Sequence, residues 1–375
     1  MSTTEVQPVD FATLEKAAAA APPKAIDADR PVWIFGAGGF GQNLCTALRS
    51  KGFDVAGFID NSNQKSTALG LPVLDWPTFS AKVSNAQVAM GLLNHYVGFH
   101  ELLTKHVPAE FAGELLMPWD TYEVVHDELG WRYWLSRRSS LLPYLDRIDA
   151  VARVLADDTS RHLLYRIASF RLGLDTPYST YLSPEHRYFN EFTMKPGAIT
   201  YVDCGAYTGD TYAELLAEPG VDCRRAYLLE PDPQNFKALV ENVSATRPEA
   251  VCLPLAAAQD YSILSFNSGN GEGSTISSGG DLHIAAVGLD QLLPNVDVDM
   301  IKIDVEGAEA LVLRGAERMI KRCRPMLLVS MYHNPEDLWQ LPELLFDLCD
   351  DYDYYLRQHQ FNTFDSVLYA IPRSK

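Results

Sequence analysis

Of the 375 residues, 31 are Lys or Arg and 49 are Asp or Glu, so the formal net charge at neutral pH is −18. A field of that sign repels phosphate backbones and anionic membrane surfaces, which excludes nucleic acid and membrane as expected partners. With 47% hydrophobic and 21% charged residues and no apolar run of membrane-spanning length, the chain is expected to fold as a soluble acidic protein of two or three domains.

The first residues, MSTTEVQPVDF, lack the basic start of a secretory leader. The six cysteines are scattered without a C-x-x-C pair and mostly sit in apolar runs. Both features point to a cytoplasmic, reducing setting, with the thiols as small buried hydrophobes. Residues 1–30 read as a weakly ordered lead-in with one short helix, Phe11 to Ala21, stopped by Pro22-Pro23.

A Rossmann-like α/β domain is expected over residues 31–129. An apolar strand, Val32 to Phe35, runs into Gly36-Ala37-Gly38-Gly39-Phe40-Gly41, a full G-x-G-x-x-G, and a helix follows from Asn43 to Ser50. The next strand, Val55 to Ile59, ends on Asp60, 19 residues after Gly41. Gly36, Gly38 and Gly41 with Asp60 therefore match a dinucleotide fingerprint in both context and spacing. The length before Gly130 suits only one complete mononucleotide half. The stretch WIFGAGGFGQNL, with VAGFIDN and GLPVL after it, resembles the small lead domains of sugar acetyltransferases and nucleotide-sugar enzymes. Two readings stay open: a bound nucleotide or nucleotide-sugar, or an empty unit whose glycines allow tight helix–strand packing and whose Asp60 caps a turn with Asn61. A strand from Gln87 to Gly91 and a helix from Asn94 to His106 continue the domain. His95, His100 and His106 fall on different helix faces, so no metal-ligand set is read there.

Residues 130–193 read as a helical connector, with one long helical pattern from Leu141 to Leu172 that Pro177 ends. Tyr178, Tyr181, Tyr188 and Phe189 follow. They either stack on a sugar or adenine or simply pack between domains. Trp131 to Arg138 is a weaker candidate for an acceptor clamp.

The rest of the chain, residues 194–375, is organised around ITYVDCGAYTGDTYAELLAEPGVDCRRAYLLEPD from Ile199 to Asp232. Strand, glycine turn, helix and strand make a βαβ unit, whose ligand sits at the carboxyl ends of the strands. The turn is D-x-G-x-x-x-G rather than G-x-G-x-x-G. Asp203 at the strand tip would repel a pyrophosphate but suits a sulfonium, which favours S-adenosylmethionine over NAD. Glu230, 21 residues after Gly209, is placed to accept hydrogen bonds from both ribose hydroxyls.

A helix from Pro233 to Val243, a third strand from Val251 to Ala257 and a hairpin built on Ile263 to Phe266 and His283 to Val287 come next. The hairpin tip, Gly271 to Ile276, reads equally as a lid or as disorder. The fourth strand, Met300 to Ile303, ends in Asp304-Val305-Glu306-Gly307. The fifth, Met326 to Met331, ends in Tyr332-His333. Tyr354 to Arg357 and Val367 to Ile371 supply two closing strands.

The stretches VDCGAYTGD, LEPDPQNF, IKIDVEGAEALVLRGA and LLVSMYHNPEDL, in this order over about residues 188 to 372, resemble the FkbM family of S-adenosylmethionine-dependent methyltransferases. The resemblance implies a C-terminal class I methyltransferase fold, Rossmann-like, with a mostly parallel sheet and an antiparallel edge strand. It also implies O-methylation of a hydroxyl on a sugar or other small-molecule acceptor. By the same resemblance Asp203, Gly205, Ala206 and Tyr207 line the methionine part and Gly209 follows on the turn. Glu230 holds the ribose, and Pro231, Asp232 and Asn235 lie near the adenine. Asp304 and Glu306 face the methyl group, and Lys302, in a central strand, is expected to pair with a carboxylate. Glu309 reads as a helix N-terminal charge. His333, as general base oriented by Asp304, is the catalytic expectation, with a structural histidine as its alternative. The competing function is a nucleotide- or nucleotide-sugar-dependent enzyme or sensor working through the N-terminal G-x-G-x-x-G.

Overall fold

The computed structural model describes residues 9–20, 22–62, 66–93, 96–111, 113–130, 135–174, 188–190, 192–193, 197–244, 249–267, 275–276 and 282–373. The chain divides into two compact units. The first comprises residues 1–149, 164–181 and 360–364, and the second residues 150–163, 182–359 and 365–375. Trp131, Tyr133, Trp134, Tyr178, Tyr181, His95 and the hairpin tip from Gly271 to Ser274 lie outside the described residues. No helix among the described residues is long and apolar enough to cross a membrane.

The first unit is built on β1 (Val32–Phe35), β2 (Val55–Ile59), β3 (Thr67–Ala68), β4 (Leu71–Leu74), β5 (Gln87–Met90) and β6 (Glu114–Leu116). Their order is β3-β4-β2-β1-β5-β6, parallel except where β3 meets β4. The sheet thus exceeds the single mononucleotide half expected from length. Its strands are only a few residues long, and β2 passes to β4 through the short β3 hairpin instead of a helix, so little chain is needed. The helix Gly39–Ser50 packs Leu44, Ala47 and Leu48 against the sheet. The helix expected from Asn94 begins at Phe99.

Only part of the glycine signature is about packing. A Cβ on Gly41 would stand 2.0 Å from the carbonyl oxygen of Gly36, so the helix closes on the turn only with glycine there, whereas a Cβ on Gly38 or Gly39 meets nothing within 4 Å. Asp60 behaves as a turn-holder. Its Oδ2 accepts the Ala37 amide at 3.0 Å and its Oδ1 accepts from Ser62.

The second unit carries β7 (Gly197–Cys204), β8 (Val221–Leu229), β9 (Ala250–Leu253), β10 (Ala256–Ala257), β11 (Ser262–Asn267), β12 (Thr275–Ile276), β13 (Leu282–Val287), β14 (Met300–Ile303), β15 (Met326–Ser330), β16 (Tyr352–Gln358) and β17 (Ser366–Pro372). Seven of these form one sheet in the order β16-β17-β15-β14-β7-β8-β9. The five strands from β15 to β9 are parallel, and β17 runs antiparallel to both its neighbours. This is the expected Rossmann-like sheet with its antiparallel edge. Strands β14 and β15 are buried throughout, as sheet strands covered on both faces must be.

The order reverses between β7 and β14, and a crevice opens at such a reversal beyond the strands' carboxyl ends. The third strand is shorter than expected. Pro254 has no amide proton to donate, and the chain leaves the sheet there; Ala256–Ala257 pairs instead with β13 in a separate four-stranded sheet that includes the β11/β13 hairpin.

The expected long helix from Leu141 to Leu172 is broken into Arg138–Leu141, Leu145–Val154 and Asp158–Arg171, with a short 3-10 turn over Leu142–Tyr144. The break before Asp158 is a cap. Asp157 Oδ1 accepts the Ser160 amide at 2.7 Å and Ser160 Oγ at 2.5 Å, while Asp157 Oδ2 pairs with Arg357 at 2.7 Å.

If the Gly36–Gly41 contact sets the first unit's turn, Gly41→Ala should destabilise that unit by about 1–3 kcal/mol through overpacking. Gly39→Ala, which points into open space, should be neutral or stabilise by about 0.5–1 kcal/mol. Urea midpoints followed by intrinsic fluorescence check both. Equal midpoints for Gly41→Ala and the parent chain would contradict the contact.

Candidate functional site

The tips of β7, β8, β14 and β15 converge on the crevice. β7 delivers Asp203 and then the turn Gly205-Ala206-Tyr207. Gly205 has φ +85°, and a Cβ there would stand 1.8 Å from the carbonyl oxygen of Asp304, so the β7 and β14 tips can lie this close only with glycine. Tyr207 follows at φ +46°, a conformation that costs a non-glycine residue free energy and persists only where its surroundings hold it. What holds it is Glu230, at the end of β8. Its Oε2 accepts the Tyr207 amide at 2.9 Å and its Oε1 accepts the Asp232 amide at 2.9 Å.

Glu230 is buried, and burial pushes its carboxyl up to about 7, although the Asp232 and Tyr207 amides and the Asn235 side chain pull it back. Each carboxylate oxygen offers two lone-pair sites, so the two amides leave acceptor capacity on both oxygens. A ribose diol is the ligand fragment that matches such a pair.

The other residues expected around the cofactor separate into two groups. Gly205, Tyr207, Pro231 and Asn235 are half-buried along the crevice. Ala206 belongs to the hydrophobic core. Gly209 is buried beneath Leu239 and Val243, within 3.1 Å of a Cβ placed there, so its role is packing of the helix Pro233–Ser244. Asp232 Oδ1 accepts the amides of Gln234 and Asn235, which makes Asp232 the cap of that same helix.

Asp203 does not line the methionine part as a bare carboxylate. It is fully buried; its Oδ1 pairs with Lys302 Nζ at 3.1 Å and its Oδ2 accepts the Tyr201 hydroxyl at 3.0 Å. Lys302 also donates to the Gly205 carbonyl at 2.7 Å and lies 4.0 Å from Asp304 Oδ2, which is the carboxylate pairing expected for it. Burial pushes the Asp203 carboxyl up and Lys302 pulls it back, leaving it at about 6. Burial works against the Lys302 charge, but Asp203 and Asp304 outweigh it and keep the ammonium protonated.

His333 is in the expected place but not in the expected state. Its ring is buried, with Nδ1 3.0 Å from Glu309 Oε1 and Nε2 3.5 Å from both Asp304 Oδ1 and Glu306 Oε2. Burial would lower the imidazole, but the charges of Glu309, Glu306 and Asp304 overcome it and raise it to about 10. The surrounding carboxylates thus favour the protonated ring, which runs against the expected role as general base. Glu309 is likewise more than a helix-end charge. It is buried, and its Oε1 also accepts the amides of Val305 and Gly307.

One site residue carries no sequence signal, and another was read for a different contact. Asp365, in the loop before β17, has its carboxyl pushed up to about 7 by burial and by the Asp304 charge. Tyr188, expected to stack or pack, instead donates its hydroxyl to Asp304 Oδ2 at 3.1 Å, while its carbonyl accepts the Tyr369 hydroxyl at 2.8 Å.

Residues 203–363 match the family model of the methyltransferase FkbM domain. Among solved structures the chain is similar to the methyltransferase FkbM from Methylobacillus flagellatus KT. That likeness has 21% identity over 96% of this chain and 98% of that one, with a TM-score of 0.76. It shows a shared fold along nearly the whole length. A fibrillarin from Aeropyrum pernix with natively bound S-adenosyl-L-methionine is more remote, at 16% identity over 47% of this chain and 67% of that one, with a TM-score of 0.30. No curated protein sequence matches the chain.

The Glu230 geometry predicts a pH dependence for any ribose-bearing ligand. The ionised carboxylate accepts both hydroxyls and the protonated one does not. Affinity for S-adenosylhomocysteine should therefore be flat above about pH 7 and weaken by about tenfold per pH unit well below it. Glu230→Gln should bind weakly at every pH without this slope. Calorimetric titration across the neutral range checks both, and a slope preserved in the variant would assign the proton to another group.

Proposed function

Because residues 203–363 match the family model of the methyltransferase FkbM domain, we propose that the protein transfers the methyl group of S-adenosylmethionine to a hydroxyl of a small acceptor, such as a sugar or a secondary metabolite. The observation that carries the reading is the pairing of the strained Tyr207 turn with the buried Glu230 carboxylate at the mouth of β7 and β8. The residues present fit S-adenosylmethionine. Glu230 would take the ribose, Gly205 and Tyr207 the methionine side, and Pro231 and Asn235 the adenine side. Bound there, the cofactor supplies an electrophilic methyl group. An acid-lined crevice favours its positive sulfonium over a pyrophosphate.

The chain's own part of the reaction is to place an acceptor hydroxyl in line with that methyl group and to take its proton. Asp304 is the group suited to this. Its side chain is 18% exposed, so a substrate can reach it, and Tyr188 and Tyr332 fix its orientation through their hydroxyls at 3.1 and 3.5 Å. Lys302 Nζ lies 4.0 Å from its Oδ2 and His333 Nε2 3.5 Å from its Oδ1, so both sides of the carboxylate face nitrogen groups. Glu306, with its side chain 19% exposed, is a second carboxylate within reach of the acceptor.

The alternative, a nucleotide or nucleotide-sugar held by the first unit, is favoured by one observation. Gly38 and Gly39 leave open space above the turn, as a closely approaching phosphate would require. Against it, the acid that would take a ribose accepts the Ala37 amide on Oδ2 and both the amide and the hydroxyl of Ser62 on Oδ1, which leaves less acceptor capacity than Glu230 has. Gly38→Val should abolish nucleotide binding by the first unit while sparing S-adenosylhomocysteine. Calorimetry that detects no nucleotide binding to the parent chain removes this alternative.

S-adenosylhomocysteine at about 100 times its Kd should stabilise the protein by about 2.7 kcal/mol, read as a rise in Tm, and Glu230→Ala should lose most of that rise. Asp304→Asn should lower kcat by about 10²–10⁴-fold while keeping the rise. The turnover measurement uses radiolabelled methyl transfer to a panel of hydroxylated acceptors. Near-normal turnover in Asp304→Asn would remove Asp304 as the proton acceptor.

A further inference from the structure

Beside the proposed methyl-transfer position lies a donor set that the sequence reading did not pick out. Asp304, Glu309 and His333 each offer a ligand atom, and those atoms lie within 4.8 Å of one another. The three come from the tip of β14, the helix that follows it, and the tip of β15, so the fold and not one flexible loop brings them together. Two observations point beyond an ordinary hydrogen-bonded cluster.

The first concerns Glu309, which is 1% exposed. Its Oε1 accepts from the Val305 and Gly307 amides, but its Oε2 has no hydrogen-bond donor among the described residues. A carboxylate oxygen buried without a donor is costly, and a cation is the partner that removes the cost. The second is the local charge. Asp203, Asp304, Glu306, Glu309 and Asp365 surround two cationic groups, Lys302 and His333. Lys302 is committed to Asp203 and Gly205, so acid remains in excess around His333.

We propose that Asp304, Glu309 and His333 form a binding site for one divalent first-row cation, which on binding displaces the proton from His333 and takes over its place among the carboxylates. One imidazole with carboxylate oxygens and no thiolate suits Mn²⁺ or Zn²⁺ better than Mg²⁺, which prefers an all-oxygen shell. Glu306 Oε2, 3.5 Å from the imidazole Nε2, lies where it can complete or orient the shell. The cation would sit against the carboxylate assigned to the acceptor hydroxyl, where a Lewis acid lowers the pKa of a bound hydroxyl. That role rests on the methyl-transfer reading above, whereas binding of the cation does not.

The test uses the full chain stripped with a chelator and titrated with MnCl2, followed by calorimetry and by the electron paramagnetic resonance signal of free Mn²⁺, with Zn²⁺ as competitor. One saturable site per chain is expected. Glu309→Gln and Asp304→Asn should each weaken it by about 10–100-fold, with unfolding curves confirming that both variants fold. If Glu309→Gln does not fold, Asp304→Asn, at a partly exposed position, decides alone. Absence of saturable Mn²⁺ or Zn²⁺ binding overturns the site, as does saturable binding of unchanged affinity in the folded variants. S-adenosylhomocysteine is titrated in parallel, with and without metal. Its binding without any metal site would defeat this proposal alone, and a metal site without its binding would defeat the methyl-transfer reading alone.

Discussion

The second unit depends on one buried charge. Lys302 enters a strand covered on both faces, where an ammonium group costs several kcal/mol unless its partners replace water. It has three: Asp203 at 3.1 Å, the Gly205 carbonyl at 2.7 Å and Asp304 at 4.0 Å. Two of them lie on β7 and its turn, and the third is at the tip of β14. The lysine therefore ties together the two strands between which the sheet order reverses. That tie explains why the turn must begin with glycine, since the same closeness puts the Asp304 carbonyl where any side chain at Gly205 would stand.

From that tie the site divides into two chemically different halves. On the β8 side, Glu230 accepts backbone amides and stays short of donors, an arrangement suited to neutral hydroxyls. On the β14 and β15 side, carboxylates outnumber cations, an arrangement suited to positive charge. A ligand with a ribose at one end and a positive centre at the other satisfies both halves, with Gly205 and Tyr207 between them. The strain at Tyr207 is the local cost of turning its amide toward Glu230.

Much of this was legible in the sequence, for identifiable reasons. β14, β15 and the ends of β7 and β8 (Tyr201-Val202 and Ala226 to Leu229) are short apolar runs that meet an acid or a polar turn, and such runs read as strands of a covered sheet. The pairing of Lys302 followed from its presence in one of them. What escaped was set by tertiary contact. No spacing shows that Asp203 turns inward to Lys302, or that Asp365 reaches the crevice from the loop before β17. His333 was located correctly but given the chemistry of an isolated imidazole. Its state is fixed by Glu309, Glu306 and Asp304, and only folding brings those three around one ring. The broken helix before Asp158 was missed although its signal, Asp157-Asp158-Thr159-Ser160, is a local capping pattern.

The path of the chain has a consequence for the order in which the protein can be made. Residues 360–364, between β16 and β17, belong to the first unit, where Asn362 donates to the Val97 carbonyl at 2.9 Å and accepts the Phe99 amide at 3.2 Å. A unit built mostly from residues before 150 thus lacks one of its own pieces until residues 360–364 have been made. Vectorial folding, in which one unit completes itself before the next emerges, therefore leaves this unit short of that segment until then. Until then the Phe99 amide lacks its Asn362 partner.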